Sequence, residues 1–415
     1  MNEHFYLARQ VILNNDETIM GYELLYRDST QKAHIQNPRH ATAALLVNVL
    51  NQAGLNNVVG ENLAFINVDD SFLKHNFIES IPPKTFVFEL TATSSLDQRL
   101  VERVEQLNNA RYVFSLDLDS YEKLDIVKTL APFLSFLKID TSSFEVERFQ
   151  DLKKALSEYP IIFIASKVED EETFKSYQKE GCNAYQGYFF AQPHIIQDKK
   201  LDANQLVLFK LCDTIQSGAS TADIVKAFEQ SPAMTLQLLQ FINSGAFHFR
   251  DRISSINQVI TLLGRNSLIQ WLMLLLYSKN FSSKVKYQNP LILMVRQRTE
   301  IMVNLLKLVK KNATTSEQGE AYFVGILSLM DTLLHVPLDE VLREFYVEKS
   351  ISDAIYYQSG FLGELYTVVL AVEQFDTQVL DSFLQKYKIG KEKFEQMTLE
   401  VFKSTVELET SPIDS

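Results

Sequence analysis

The sequence predicts an α/β barrel of the TIM type, its first strand antiparallel to the rest, followed by an all-helical domain. Three observations carry that expectation. From Phe5 to about Gln192, short β-rich runs alternate with helix-sized segments, the pattern of a mainly parallel sheet with crossover helices. The first two runs are separated only by NNDET at Asn14–Thr18, and since a parallel crossover needs a dozen or more residues they must pair as a hairpin. After Pro193, apolar residues recur every three or four positions in long segments, as on helices with one buried face. The expected domains are residues 1–195, the barrel, and 196–415, the helical domain.

The strand runs are Tyr6–Leu13, Ile19–Arg27, Leu63–Val68, Thr85–Leu90, Arg111–Asp117, Phe136–Asp140, Ile161–Ser166 and Ala184–Phe190. Between the later ones lie helix candidates at Pro38–Ala53, Ser71–Asn76, Ser94–Asn108, Tyr121–Ala131, Ser143–Ser157 and Asp170–Lys179. Ser94, Ser143 and Asp170 put oxygen or negative charge at helix starts, where unsatisfied N–H groups need it. In the second half the candidates are Asn204–Gln216, Thr221–Gln230, Ala233–Asn243, Ser255–Leu263, Ser267–Phe281, Pro290–Lys311, Gln318–His335 and Leu338–Phe345, then Ser350–Gln358, Phe361–Gln374, Gln378–Tyr387 and Lys391–Glu407.

Composition narrows the function. Apolar residues at 46% and charged residues at 22% describe an ordinary globular chain with no long disordered tract. Only 13 glycines occur in 415 residues, and neither a dinucleotide fingerprint nor a P-loop is present. A formal charge of −12 argues against a protein built to hold a nucleic-acid backbone, which needs a basic face. Cys182 and Cys212 are too few and wrongly spaced for a disulfide framework or a metal site, so they read as small buried residues in a reducing compartment. MNEHFYLARQ is no signal peptide, and WLMLLLY at Trp271–Tyr277 is far shorter than a membrane span. The expectation is a cytoplasmic protein with no membrane segment.

Polar residues recur at the C-terminal ends of the strand runs: Glu23, Asn67, Glu89, Asp117, Lys138 with Asp140, Glu169 and Gln186. In a barrel such residues converge on one mouth. Polar loop rims are common, so any one of them could merely solvate the rim, but seven coincide. Glu, Asn and Asp oxygens suit a hard cation, Mg²⁺, Ca²⁺ or Mn²⁺, rather than zinc.

These residues resemble the EAL domain, the family that hydrolyses cyclic di-GMP. GYELLYR at Gly21–Arg27 looks like its signature, with Glu23 as a metal glutamate and Arg27 as a ligand-contacting arginine. ARQVIL at Ala8–Leu13 resembles the segment carrying a guanine-contacting glutamine, here Gln10, with Val11 in place of the usual proline. INV at Ile66–Val68 supplies the metal asparagine Asn67 and FELT at Phe88–Thr91 the metal glutamate Glu89. LKID at Leu137–Asp140 supplies Lys138, the lysine beside the attacking water. QGYFFAQP at Gln186–Pro193 closes the domain with Gln186. The resemblance implies Glu23, Asn67, Glu89 and Asp117 as metal ligands, Lys138, Glu169 and Gln186 as remnants of the catalytic set, and Gln10 and Arg27 as cyclic di-GMP contacts.

The departures fall on acids. Ala92 replaces a glutamate that braces a loop, and Leu118 replaces the second of two metal aspartates, with Asp119 one residue too far to substitute for it. ASKVE at Ala165–Glu169 puts Ser166 in place of a site glutamate and Lys167 in place of a glycine. Hydrolysis at such a site uses two cations about 3.5–4 Å apart that clamp the phosphate, and even the loss of groups supporting the ligands commonly costs 10–100-fold. The expectation is therefore a catalytically inactive relative that binds cyclic di-GMP, with room for one weakly held Mg²⁺ or Mn²⁺. The alternatives are an active or weakly active phosphodiesterase, and a scaffold that binds no nucleotide.

In the second half, SPAMTLQLLQFINSGAFHFRDRISSINQVITLLG at Ser231–Gly264, with AYFVGILSLMDTLLHVP at Ala321–Pro337 and GELY at Gly363–Tyr366, resembles the HDOD domain. That family is a helical relative of the HD phosphohydrolases that lacks their metal ligands, and no His-Asp dipeptide occurs here. The resemblance implies a module for binding another protein, of unknown identity, and leaves a homodimer open. Asp331 and His335, four apart, could share a metal, but without further ligands a surface or capping role is preferred. Lys284, Lys286, Arg296, Arg298, Lys307, Lys310 and Lys311 form a basic stretch, expected to be a solvated helix face. His248 and Trp271 are expected to pack rather than react.

Overall fold

In the computed structural model, residues 5–28, 54–91, 97–192, 203–232, 234–235, 238–239, 253, 255–279, 290–344 and 348–410 are described. The helix candidate Pro38–Ala53, Ser94, Ala92, FINSGAF with His248, and Lys284 and Lys286 lie outside them, as does the side chain of Trp271. The chain divides into two compact units, one of Met1–Gln192, Lys286–Asn312 and Leu365–Ser415, the other of Pro193–Val285 and Ala313–Glu364.

The first unit is built on a closed eight-stranded barrel in sequential order. Its strands are β1 (Phe5–Asn14), β2 (Ile19–Asp28), β3 (Leu63–Asn67), β4 (Val87–Thr91), β5 (Val113–Leu118), β6 (Phe136–Asp140), β7 (Ile162–Ser166) and β8 (Ala184–Gln186). β1 is antiparallel to both neighbours, pairing with β2 through the hairpin and closing the barrel on β8, while β2 through β8 are parallel. The eighth run is shorter than its expected Ala184–Phe190 because Gly187 takes φ 150° and Phe189–Ala191 form a 3-10 turn. A Cβ at Gly187 would lie 2.0 Å from the Val168 carbonyl oxygen, so only glycine fits there.

Alternation along the strands sorts side chains into two layers. Ile12, Phe65, Val87, Phe136, Ile164 and Ala184 meet inside the barrel as a small apolar cluster. Residues of opposite parity on the strands, including Ile66, Phe88, Leu116, Leu118, Leu137 and Ile139, point outward into the main core, where they meet Leu100, Val104, Phe149, Leu152 and Phe174 of the surrounding helices. Those helices, Gln98–Asn109, Val146–Ala155 and Glu171–Lys179, begin where local chemistry dictates. Asp97 and Asp170 accept backbone N–H bonds at the first turn of theirs. Ser143 does not cap as expected; its hydroxyl bonds the Asp119 carbonyl, and the helix starts after Glu145.

Segments from far along the chain complete this unit. The helix Lys391–Thr410 packs on β1 and on the helix Leu55–Val59, and its Phe402 joins the main core. The Arg9 guanidinium lies 4.6 Å from the ring centres of both Tyr22 and Phe402 and donates to the Val58 carbonyl. Tyr6 donates to Asp381 at 2.7 Å. The helix Pro290–Val309 packs against Lys391–Thr410.

The basic stretch is corrected at one position. Arg298 is not on a solvated face but 6% exposed, with Nε and Nη2 donating to the two Glu373 oxygens at 2.8 and 2.9 Å. Periodicity cannot foretell this, because the apolar stripe of the helix is broad enough to bury a paired cation.

The second unit is helical. Among its described residues are helices Ala203–Gln216, Thr221–Glu229, Ile256–Lys279, Thr315–Leu327, Met330–Leu334, Leu338–Glu344 and Lys349–Tyr357. Capping boxes at Ser220 with Asp223 and at Thr314 with Glu317 start two of them. The expected break between Leu263 and Ser267 is a single residue, Gly264, with φ 75°. The expected helix Gln318–His335 splits in two near Leu329, and His335 ends the second part in a left-handed conformation, its N–H bonded to the Asp331 carbonyl. Cys182 in the first unit and Cys212 in the second are both buried and free, as expected. Among the described residues no helix is long and apolar enough to cross a membrane.

Candidate functional site

The interior face that carries the apolar cluster continues upward, two residues at a time, into a polar layer at the mouth of the barrel. Strand parity makes this inevitable: Phe65 leads to Asn67, Val87 to Glu89, Phe136 to Lys138 and Asp140, Ile164 to Ser166, and Ala184 to Gln186. Register then fixes the neighbours. Asn67 pairs with Glu89, Glu89 with Ser115, Asp117 with Lys138, Asp140 with Ser166 and Gln10 with Glu23.

Lys138 is the centre. Its ammonium, 3% exposed, donates to Glu23 Oε2 at 2.5 Å and to the two Glu89 oxygens at 2.9 and 3.1 Å. Glu23 also accepts from Asn67 Nδ2 at 2.6 Å and from Gln186 Nε2 at 2.7 Å. Gln186 Nε2 reaches Gln10 Oε1 at 3.0 Å as well. Six of the expected site residues thus form one hydrogen-bonded network. Asp117 sits on the same face, half-buried, and is coupled to it through charge.

Charge in this network is unevenly shared. Burial alone would raise the Glu23 carboxyl, but the Lys138 charge and the bonds from Lys138, Gln186 and Asn67 hold it below the usual range. Glu89 is pushed up to about 8 by burial and by its acidic neighbours Glu23 and Asp117, against the pull of Lys138. Burial also raises Asp117, with Glu23 and Asp140 adding to it. Lys138 is raised above the ordinary lysine range because Glu23 and Glu89 outweigh its own desolvation. Lys138 therefore touches two acids, with Asp117 nearby under the charge of both Lys138 and Lys167, and two buried polar atoms, Gln186 Oε1 and Ser115 Oγ, have no hydrogen-bond partner among the described residues.

The remaining expected residues are placed elsewhere. Glu169 is exposed in the loop after β7. Arg27 lies on β2 opposite Tyr6, but its side chain is outside the described residues. Leu118 is fully buried and faces outward into the main core, away from Asp117. Asp119 is at the surface, paired with Lys123 at 2.6 Å. Ser166 donates to the Ile139 carbonyl at 3.1 Å. Lys167 reaches across the rim to Asp140 at 2.6 Å, and with Ser115 it is the contribution that strand-end reasoning missed. Both were legible in principle, Ser115 from its parity with Asp117 and Lys167 from its position one residue beyond a strand end.

The donor set has the chemistry of a hard-cation site, since carboxylate and amide oxygens suit Mg²⁺ or Mn²⁺. Its arrangement does not fit one. The gap between the two carboxylates is filled by the Lys138 ammonium, Asn67 turns its amide nitrogen toward Glu23, and among the described residues no three His, Cys, Asp or Glu side chains are grouped as metal ligands.

On the outer side of β1 and β2, opposite the face that carries Gln10 and Glu23, a cleft is lined by Val11, Tyr22, Tyr188, Phe190, Leu293 and Gln297, with Gln10 at its edge. It is mainly apolar, with amides at its edge.

The family model of the HDOD domain matches residues 206–340. The chain carries an HDOD domain. The barrel, with its antiparallel first strand and the EAL motif residues gathered at one mouth, is EAL-like. Along most of its length the chain is similar to two bacterial proteins. One is the uncharacterized protein YuxH of Bacillus subtilis, 27% identical over 366 residues that make up 85% of this chain and 88% of YuxH. The other is the cyclic di-GMP phosphodiesterase CdgJ of Vibrio cholerae, 24% identical over 400 residues, 95% of this chain and 91% of CdgJ. Among solved structures, the Bacillus subtilis YkuI protein, which has an EAL domain and is in complex with cyclic di-GMP and calcium, aligns with a TM-score of 0.38 at 16% identity, over 63% of this chain and 73% of YkuI.

Proposed function

We propose that this EAL-like and HDOD protein is a signal-transduction protein whose barrel binds cyclic di-GMP without hydrolysing it efficiently, and whose HDOD domain engages a protein partner. The observation that carries the reading is the facing of two side chains: Leu118 points into the apolar core, and Ser166 spends its hydroxyl on a backbone carbonyl. A pair of cations that clamps a phosphodiester has too few acids to sit on. Ligand binding keeps its support in Gln10 and Gln186 at the mouth and in Gln186 Oε1, buried there without a partner among the described residues.

A second reading, weak phosphodiesterase activity, is favoured by the similarity to CdgJ over nearly the whole chain and by the survival of Glu23, Glu89, Asp117 and Lys138 on one face. Incubation of the full chain with cyclic di-GMP and Mg²⁺ or Mn²⁺, followed by chromatography and calorimetry, separates the readings. The proposal expects heat of binding with no linear dinucleotide. Turnover that Glu23→Ala abolishes would establish the second reading, and no heat at high micromolar ligand would leave only a scaffold.

A further inference from the structure

We infer that Lys138 is the resident cation of this barrel, standing in the place a divalent ion would take, so that the mouth is complete without metal. The inference holds whichever ligand the barrel binds.

The geometry is that of a filled site. Three N–H groups of one ammonium are directed at two carboxylates, at 2.5, 2.9 and 3.1 Å, which uses every donor that lysine has. The remaining capacity of Glu23 is taken by Asn67 and Gln186. Lys138 cannot easily swing aside, because it springs from the middle of a strand whose residues are all buried and is bracketed below by the apolar cluster of Phe65, Val87 and Phe136. A divalent ion entering here would have to displace an ammonium from two buried partners, leaving a positive charge in the same enclosed space, and like charges so placed are strongly unfavourable. Nor do the other described acids of the mouth make a second position: Asp117 is a single half-buried carboxylate, Asp119 pairs with Lys123, Asp140 pairs with Lys167 and accepts from Ser142, and Leu118 and Ser166 offer no carboxylate. On the described rim the cations Lys123 and Lys167 neutralise acids in the same way that Lys138 does inside.

The test uses the full chain and the metals themselves. Thermal unfolding is followed with Mg²⁺, with Mn²⁺, with EDTA, and with sodium chloride at matched ionic strength, and Mn²⁺ is titrated in a calorimeter. The inference expects midpoints within about 1 °C of one another and no saturable heat, since an ion that does not bind the folded state cannot stabilise it. The variant Lys138→Met should melt several degrees lower and gain stability in Mn²⁺, as the vacated position accepts the ion. Saturable binding of one Mn²⁺ per wild-type chain, a rise of about 3 °C or more in its midpoint, or a Lys138→Met protein as stable as the wild type would overturn it. If Lys138→Met does not fold, the wild-type titration decides alone. Because none of these readouts uses cyclic di-GMP, a failure here is distinct from a failure of the binding proposal.

Discussion

Among the cations buried in the first unit, Arg298 and Lys138 are held in opposite ways. Arg298 faces one carboxylate, Glu373, through a two-point bond, with the Tyr366 hydroxyl 3.2 Å away. Charge is balanced one to one, in the fork geometry that suits guanidinium and carboxylate. Lys138 faces Glu23 and Glu89 with Asp117 nearby, an excess of acid next to two buried polar atoms that lack partners among the described residues. The balanced pair joins the helix Pro290–Val309 to Gly360–Gln374 and reads as a lock. The unbalanced cluster sits at a barrel mouth and reads as a site. Burial alone does not mark function; unequal charge with unspent hydrogen-bonding capacity does.

The largest effect should come from breaking the lock. Arg298→Met leaves Glu373 buried without its partner and is expected to cost about 3–5 kcal/mol, measured by urea unfolding of the full chain. A loss under about 1 kcal/mol would mean that the pair is no more than a surface bridge and would dissolve the contrast.

Leu118→Asp is next. Family comparison alone suggests that restoring an acid here would rebuild catalysis. Because Leu118 faces the helix layer, the new carboxyl would be buried among apolar side chains, at a cost of roughly 2–4 kcal/mol, with no gain in cyclic di-GMP turnover. A stable and active Leu118→Asp protein would show that the end of β5 can turn its residues toward the mouth.

The smallest effect is the most specific to the unbalanced cluster. Glu89, facing Lys138, Glu23 and Asp117, is pushed up to about 8 from an ordinary 4.5. A carboxyl raised on folding means that the native state binds more protons than the unfolded state between those values. Stability is then fullest at low pH and is lost as pH rises through about 8. Urea midpoints of the wild type should fall from pH 6 to pH 9 more steeply than those of Glu89→Gln, and parallel curves would contradict the assignment.

Much of this was legible in the sequence, and the boundary is instructive. Strand alternation and the short NNDET turn announce the barrel and its antiparallel first strand, and polar residues two beyond interior apolar ones announce the mouth. Glu23, Asn67, Glu89, Lys138, Gln186 and Gln10 are all found there in one network. What was not legible depends on contacts distant along the chain. Nothing in the spacing of Lys391–Thr410 says that Phe402 will cover Arg9 on β1, or that Pro290–Val309 and the helices after Leu365 will join the barrel unit. Nor can an amphipathic pattern separate a paired, buried Arg298 from the solvated cations near it. Leu118 was conspicuous as a missing acid, but only the extension of β5 through that residue turns it outward.

The most direct test of the central claim, binding in place of hydrolysis at a mouth organised by Lys138, is calorimetry of the full chain with cyclic di-GMP in Mn²⁺ and in EDTA, with the cell contents then analysed by chromatography. The same saturable heat is expected in both buffers, with intact cyclic di-GMP at the end. Binding that needs Mn²⁺, together with linear dinucleotide that Glu23→Ala eliminates, would contradict the claim.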